Sequence, residues 1–248
     1  MGRIRAAFED FGGQVLFAGE TLAWAVRPPF RFELLLQQAA AIGVGSTFIV
    51  AVTGLFAGMV LALQGNYAMR QFGAEGYVGG FVAISLVREL GPVFTALMVT
   101  GRSGSAITTE LGTMRVTEQI DALSVMAANP VKHLIVPRVI AGVLMTPLLT
   151  VVSDFTGILG GYFVGVHILG INSGIFIKNI TRLVDLNDIY NGLAKAACFG
   201  LILSLVGCYK GFNTYGGAEG VGRATTEAVV LASIAILISD YFLTAIMF

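Results

Sequence analysis

The chain has 248 residues, of which 56% are hydrophobic and 12% are charged, and its mean hydropathy is +0.82. Soluble proteins are ~25% charged and need that charge to stay dispersed, so the composition predicts an integral membrane protein. The formal net charge is zero, which argues against nucleic acid as a partner because phosphate binding requires a basic excess.

The N-terminal segment, residues 1–27, is predicted to be an amphipathic helix in the membrane interface. Glu9 and Asp10 stand where a signal peptide would have an uninterrupted apolar core. The apolar residues recur instead at helical spacing, at Ile4, Phe8, Phe11, Val15, Ala18 and Leu22. The alternative is a helix that packs on a partner protein.

Five later segments are apolar over the ~20 residues that a helix needs to cross a bilayer. They are residues 35–63, 77–101, 134–167, 190–209 and 225–247. Continuous runs of this length exclude a membrane β-barrel, whose strands are short and alternating. We therefore predict an all-α membrane protein in which residues 1–248 form one domain.

The basic residues of the connections predict the orientation, because cytoplasmic connections carry the excess of Lys and Arg. With the N-terminus inside, the inner segments hold ten basic residues and the outer segments hold three. The N-terminus is thus predicted to be cytoplasmic, and the C-terminus outside, which means periplasmic in a Gram-negative cell.

Three charged residues fall inside predicted spans, where an unpaired charge costs several kcal/mol. Arg88 and Glu89 lie near the middle of the second span, and Lys195 lies in the fourth. One interpretation is a polar patch that handles a charged group of a ligand. The other is a buried ion pair between Glu89 and Lys195 that only docks two helices. Pro92, in Gly91-Pro92, is predicted to loosen the second span beside these charges.

The remaining polar residues of the spans and the spaced glycines are interpreted mainly as structural. Asp154 is expected to pair with a neighbouring helix, and Asp240 to reach water near the outer end of the fifth span. The two histidines are too far apart in sequence to predict a metal site. Small residues four apart predict close helix contacts, at Gly54 and Gly58 and at Gly157, Gly161 and Gly165.

The inner connection between the second and third spans carries a concentrated group of charges. They are Glu110, Arg115, Glu118 and Asp121. Val116, Ile120 and Leu123 recur at helical spacing, which predicts a short amphipathic helix over 110–123. We interpret it as a docking helix for a cytoplasmic partner, with a solvated loop as the alternative.

The inner connection 210–224 contains a near match to a phosphate-binding P-loop over residues 217–224. Arg223 stands where the P-loop has its lysine, and Ala224 where it has Ser or Thr. We therefore predict a flexible loop that binds no nucleotide, followed by a helix that Thr225 or Thr226 could cap.

Four sequence blocks make the chain similar to a known family. Residues 86–93, 101–106, 110–123 and 216–226 closely resemble the MlaE family, the permeases of ABC systems associated with MCE proteins. The resemblance covers essentially the whole chain. It implies a homodimer in the bacterial inner membrane that moves phospholipid to or from a periplasmic protein and so maintains outer-membrane lipid asymmetry.

The resemblance also implies partners and residue roles. A MlaF-like ATPase would bind ATP and Mg and dock on residues 110–123, so this chain would be a transport subunit with no catalytic residue or cofactor of its own. A hexameric, MlaD-like MCE protein would sit above it, and some systems add a MlaB-like STAS protein. Arg88, Glu89 and Lys195 match polar positions of the lipid cavity. Two other classes remain open: an ion-coupled secondary transporter, and a non-transporting scaffold for an ATPase and an MCE protein.

Overall fold

The structure is a computed structural model that describes residues 2–28 and 32–247, with side chains from residue 12 onward. Over these residues the chain forms helices and no strand. The α-helices are α1 Gly2–Ala25, α2 Phe32–Arg70, α3 Val78–Ser85, α4 Gly91–Val99, α5 Ser105–Val116, α6 Gln119–Val125, α7 Val136–Tyr162, α8 Ser173–Leu183, α9 Leu186–Phe212 and α10 Gly217–Met247.

Within the described residues, five continuous helical stretches are long and apolar enough to cross a membrane, as predicted. They are Phe32–Arg70, Glu75–Val116, Val131–Ile168, Leu186–Phe212 and Gly217–Met247. All five extend beyond the predicted bounds. At 1.5 Å per residue, the second stretch is ~63 Å long, about twice the thickness of the hydrocarbon core. We therefore expect its charged end, beyond residue 101, to project out of the bilayer.

The second span is a composite helix. Its α-helical pieces α3, α4 and α5 are joined by π-helical turns over Leu86–Leu90 and Thr100–Gly104. The third span begins and ends with such turns, over Val131–Ile135 and Phe163–Ile168. Single π turns within α-helices are frequently found at functional sites.

The first and third spans pack backbone against backbone. A Cβ on Gly58 would lie 1.8 Å from the carbonyl oxygen of Gly157, and one on Gly54 would lie 2.5 Å from that of Ser153. Only glycine permits this approach, so the small-residue spacing correctly predicted a close helix contact, which forms within one chain. Gly165, in the same row, packs instead against the ring of Phe176.

Two apolar cores hold the helices together. The larger lies between α4, α5, α7 and α9 and includes Ile135, Phe199 and Leu203. The smaller lies at the predicted outer end, where α8 packs on α3 through Phe176. The outward faces of α2 and α10 remain apolar and exposed, at Phe48, Phe56, Ile234 and Leu237 among others, as expected of helices that face lipid.

Helix α1 lies against the predicted inner ends of the spans. The Phe17 ring packs edge-on against Tyr209, at 5.6 Å between centroids, and also contacts Phe212. Val15 and Leu22, from the predicted apolar stripe, are exposed rather than packed on this chain, as both an interfacial helix and a helix packed on a partner would be. The stripe residues Ile4, Phe8 and Phe11 lie outside the described side chains.

Helical structure extends into two of the connections. The connection between the third and fourth spans contains α8, which begins where the Asn172 side chain accepts hydrogen bonds from the amides of Gly174 and Ile175. The prediction of a flexible loop over 210–224 is wrong, because α9 continues to Phe212 and α10 begins at Gly217. Thr225 and Thr226 therefore lie inside α10 and do not cap it.

Candidate functional site

A proline in the second span creates a special carbonyl group. In an α-helix the amide of residue 92 would donate to the carbonyl of Arg88, but Pro92 has no amide hydrogen. The helix widens into the π turn Leu86–Leu90 just before it, which confirms the predicted loosening. The carbonyl oxygen of Arg88 instead accepts a hydrogen bond from Lys195 Nζ at 3.1 Å. The defect in one span is thus satisfied by a side chain of another.

A glycine on α9 brings Lys195 to this position. A Cβ on Gly192, one turn earlier, would lie 2.2 Å from the carbonyl oxygen of Val87. The absence of a side chain there lets α9 approach the π turn at backbone distance. The ammonium group of Lys195 can then reach the second span without crossing lipid.

Lys195 is fully buried and surrounded by acceptors. Its Nζ lies 2.6 Å from Glu89 Oε2 and donates to Thr244 Oγ1 at 2.8 Å. Asp240 Oδ1 lies 2.9 Å from the same nitrogen, as an ion pair without hydrogen-bond geometry. We call Lys195, Glu89, Asp240 and Thr244 the lysine cluster. It ties the second, fourth and fifth spans together and places two carboxylates on one ammonium group.

The members of the lysine cluster differ in solvent exposure. The side chain of Lys195 is 0% exposed, whereas that of Glu89 is 35% exposed. The pairing of Glu89 with Lys195 that the sequence suggested is therefore present, and Asp240 joins it rather than only reaching water. In this conformation Lys195 cannot touch a ligand, while Glu89 can.

Arg88 points away from the lysine cluster, to the beginning of α9. Its Nε donates to Asp188 Oδ1 at 2.8 Å, and its Nη2 lies 2.7 Å from the same oxygen. Asp188 is held in turn, because its Oδ2 accepts the amide of Asp185 at 3.0 Å in a capping box. The Arg88 side chain is 38% exposed and that of Asp188 only 5%. Of the two predicted cations, Arg88 is the one accessible to a ligand.

An apolar groove lies between α2 and α4. It has a volume of about 530 Å³, and Leu90 and Phe94 of the second span line one wall. Val52, Phe56 and Val60 of α2 line the other. Leu90 follows Glu89 directly in the chain, but none of the described residues that line the groove is charged. The groove itself can take hydrocarbon chains.

Asp154 does not form the predicted pair. Its Oδ1 is buried and, among the described residues, has no hydrogen-bond partner. The oxygen sits against Gly91, where a Cβ would come within 1.8 Å of it.

The predicted docking helix over 110–123 is divided in two. Residues up to Val116 continue the second span as α5, and Glu118 then adopts a left-handed backbone conformation with φ of 62°. A separate helix, α6, follows over Gln119–Val125 and buries Ile120. A short helix between the second and third spans is thus present, but it begins nine residues later than predicted.

Ion pairs fix both parts of this connection. Arg115 on α5 pairs with Asp121 on α6 across the break. Glu110 pairs with the buried Arg138 of the third span, with Oε1 and Nη2 2.8 Å apart. Glu118 and Asp121 remain exposed. The four predicted residues therefore lie at one end of the molecule, but they do not form a single face.

Several contacts were not predicted from the sequence. Asp188 had a signal, since Asp185 and Asp188 have the spacing of a capping box. No feature of the sequence distinguished Arg138 from the other basic residues of the inner segments. No feature of the sequence identified Thr244 either, because a single threonine near the end of a span belongs to no recognisable motif.

Comparison with known proteins identifies the family. The profile of the family described as Permease MlaE matches residues 35–246. The chain belongs to the MlaE permease family. It is 44% identical over 97% of its length to a probable ABC transporter permease protein of Rickettsia conorii, and covers 93% of that protein. It is also 44% identical over 88% of its length to the intermembrane phospholipid transport system permease protein MlaE of Haemophilus influenzae, of which it covers 84%.

A plant protein is more distantly similar. The chloroplast protein TRIGALACTOSYLDIACYLGLYCEROL 1 of Arabidopsis thaliana is 36% identical over 94% of this chain, which spans 67% of the plant protein. Membership of the MlaE family and five long apolar helices together make this chain a multi-pass membrane permease related to ABC transporter permeases.

Proposed function

We propose that this chain is the membrane subunit of an ABC-type transporter that moves phospholipid between the inner membrane and a periplasmic MCE protein, and so maintains outer-membrane lipid asymmetry. The observation that carries the proposal is the 44% identity to a permease named for intermembrane phospholipid transport. The charged and apolar surfaces at the π turn fit an amphiphilic substrate.

In the proposed binding mode, Arg88 binds the lipid phosphate and the groove between α2 and α4 takes acyl chain. Arg88 is partly exposed, positively charged and held in place by Asp188, so little conformational freedom is lost when it binds. Glu89 borders the same site, and the buried Lys195 contributes indirectly by holding the Glu89 side chain in place. Contact of Lys195 with the phosphate itself would require the lysine cluster to open.

The proposed assembly contains two copies of this chain. Lipid would bind between them, in a cavity that opens to the periplasm, with the N-terminus cytoplasmic and the C-terminus periplasmic. A cytoplasmic MlaF-like ATPase would bind ATP and Mg and dock at residues 110–125, a hexameric MlaD-like protein would sit on the periplasmic side, and a MlaB-like STAS protein would complete some assemblies. The Arg115–Asp121 pair supports the docking role, because it makes α6 move with α5.

Lipid transfer by the reconstituted complex tests the proposal. Arg88→Gln removes the exposed cation and is expected to slow ATP-dependent phospholipid transfer about tenfold, the scale of one charge-assisted contact. Arg182→Gln, which changes an exposed arginine of α8, is the matched control and should transfer lipid normally. Equal transfer by native and Arg88→Gln complexes would refute the role of Arg88. ATP hydrolysis that moves no phospholipid in the native complex would refute the function itself.

The docking role has its own test. Reversing Arg115 and Glu118 together is expected to reduce co-purification of the ATPase. A chain carrying Arg115→Asp with Asp121→Arg keeps the internal ion pair and separates loss of docking from loss of the α5–α6 contact. Full ATPase recovery with the reversed residues would show that the motor docks elsewhere.

A further inference from the structure

A polar pocket lies at the end of the molecule opposite Arg88, between α9 and α10. It has a volume of about 240 Å³ and is lined by residues that include Lys210, Arg223 and Glu227. Lys210 lies ~33 Å along α9 from Asp188 at 1.5 Å per residue, a separation similar to the ~30 Å thickness of the hydrocarbon core of a bilayer. The proposed transport function does not use this pocket.

The charges of the pocket favour an anion. Its lining has two cations and one carboxylate. Lys210 Nζ and Glu227 Oε2 are 3.4 Å apart, a long ion pair, and the Lys210 side chain is 17% exposed. The Arg223 guanidinium lies 5.6 Å from the centre of the Tyr215 ring, and among the described residues no carboxylate lies within ion-pair distance of it. The net charge of the lining is therefore positive.

The level of the pocket in the membrane points to a lipid headgroup. Tyr209, which lines it, also packs against Phe17 of α1. The exposed apolar face of α1, with Val15 and Leu22, belongs at the boundary between headgroups and acyl chains. The pocket lies beside this helix, so we expect it at the depth of the lipid phosphates.

Helix α10 continues from the pocket as an apolar surface. Arg223 and Glu227 lie on one face of the helix, and the following residues on that face are apolar. These residues are 50–72% exposed: Val230, Ile234, Leu237 and Tyr241. They extend ~27 Å from Arg223 to Tyr241. An amphiphile with its phosphate in the pocket would therefore find apolar contacts for its chains along α10.

We propose that the pocket formed by Lys210, Arg223 and Tyr215 binds the phosphate of a phospholipid from the leaflet on that side of the membrane. Lys210 and Arg223 supply charge-assisted hydrogen bonds, Glu227 competes with the phosphate for Lys210, and the exposed α10 face receives an acyl chain. Basic pockets between transmembrane helices are known to bind anionic lipid headgroups.

Native mass spectrometry of the purified chain, with any subunits that co-purify, tests this proposal. The probes are phosphatidylglycerol and a diacylglycerol with the same chains, which lacks the phosphate. The measurements are made in the native chain and in an Arg88→Gln background, so that the other site does not contribute. We expect Lys210→Gln with Arg223→Gln to weaken phosphatidylglycerol binding about tenfold and to leave diacylglycerol binding unchanged.

Further variants keep the result interpretable if the double variant is unstable. Arg223→Lys preserves the charge and should retain most of the binding, and Glu227→Gln removes the competing carboxylate and should strengthen it. Lys178→Gln, on α8, is the matched control and should have no effect. Weaker binding by Glu227→Gln, or equal loss of both lipids in the double variant, would overturn the proposal. Displacement of phosphatidylglycerol by an equal concentration of inorganic phosphate would overturn the assignment to a lipid.

Discussion

Replacing Lys195 by methionine tests whether the lysine cluster holds three spans together. The substitution keeps the length and apolar stem of the side chain but removes the ammonium group that Glu89 and Asp240 share. Their oxygens lie 2.6 and 2.9 Å from this nitrogen, so they are within ~6 Å of each other. At an effective dielectric constant of 20, two such charges repel by ~3 kcal/mol.

The same magnitude follows from a second consideration. Removing one partner of a buried ion pair costs ~3–5 kcal/mol, because the remaining charge is left without compensation. Glu89 and Asp240 keep some access to solvent, which places the expected loss near the lower end of that range. We therefore expect Lys195→Met to lower the free energy of unfolding by ~3 kcal/mol.

Unfolding in mixed dodecyl maltoside and SDS micelles, followed by circular dichroism, measures this loss. The decisive control adds Glu89→Gln and Asp240→Asn to Lys195→Met, which removes the repelling charges and should restore most of the stability. Glu89→Gln alone should cost only ~1 kcal/mol, because Asp240 still pairs with the ammonium group. If Lys195→Met is as stable as the native chain, or if the triple variant is no more stable than the single one, the cluster does not join the spans as described.

Three further predictions use the same unfolding measurement. Gly58→Ala should lower the free energy of unfolding by ~1–3 kcal/mol or more, because the new Cβ meets the Gly157 backbone. Gly222→Ala, with open space around it, should not destabilise the chain. Equal effects of the two substitutions would contradict the close contact. Phe176→Ala should lower the free energy of unfolding by ~3–5 kcal/mol, since the ring is fully buried. Ile177→Ala, on the exposed face of α8, should lower it much less. A small loss for Phe176→Ala would argue against the packing of α8 on α3. Glu118→Gly should stabilise the chain by up to ~1 kcal/mol, because a φ of 62° is unfavourable for a residue with a Cβ. Destabilisation would show that the Glu118 carboxylate makes a contact that offsets this strain.

The membrane spans were predictable because a bilayer imposes a simple rule on sequence. A helix is the structure that satisfies every backbone group inside one segment, so long apolar runs determine both its existence and its approximate position. The exact ends were not predictable, since the apolar run of the second span stops near residue 101 while its helix continues to Val116. Beyond the bilayer, local sequence and tertiary contacts decide where a helix stops.

The candidate site was predicted as a set of residues but not as a geometry. Charges inside apolar segments identified Arg88, Glu89 and Lys195. The pairing of Glu89 with Lys195 was one of the two interpretations, but the pairing of Arg88 with Asp188 across the π turn was not predicted. Helical periodicity assumes 3.6 residues per turn and so cannot predict directions across such a turn.

The break at Glu118 was missed for a related reason. The apolar spacing of Val116, Ile120 and Leu123 fits an uninterrupted helix, and Glu118 carries no glycine-like signal for a left-handed conformation. Tertiary contacts decide the outcome here, because Ile120 is buried and Arg115 pairs with Asp121 only if the chain turns.

The glycine contact between α2 and α7 constrains how this protein can change shape. Two helices in backbone contact leave no space for a side chain to slide or for a lipid tail to enter, so they are expected to behave as one rigid body. The groove between α2 and α4 has α2 as its fixed wall. We therefore expect any change in its width to come from the second span, whose π turns at Leu86–Leu90 and Thr100–Gly104 divide it into three α-helical segments.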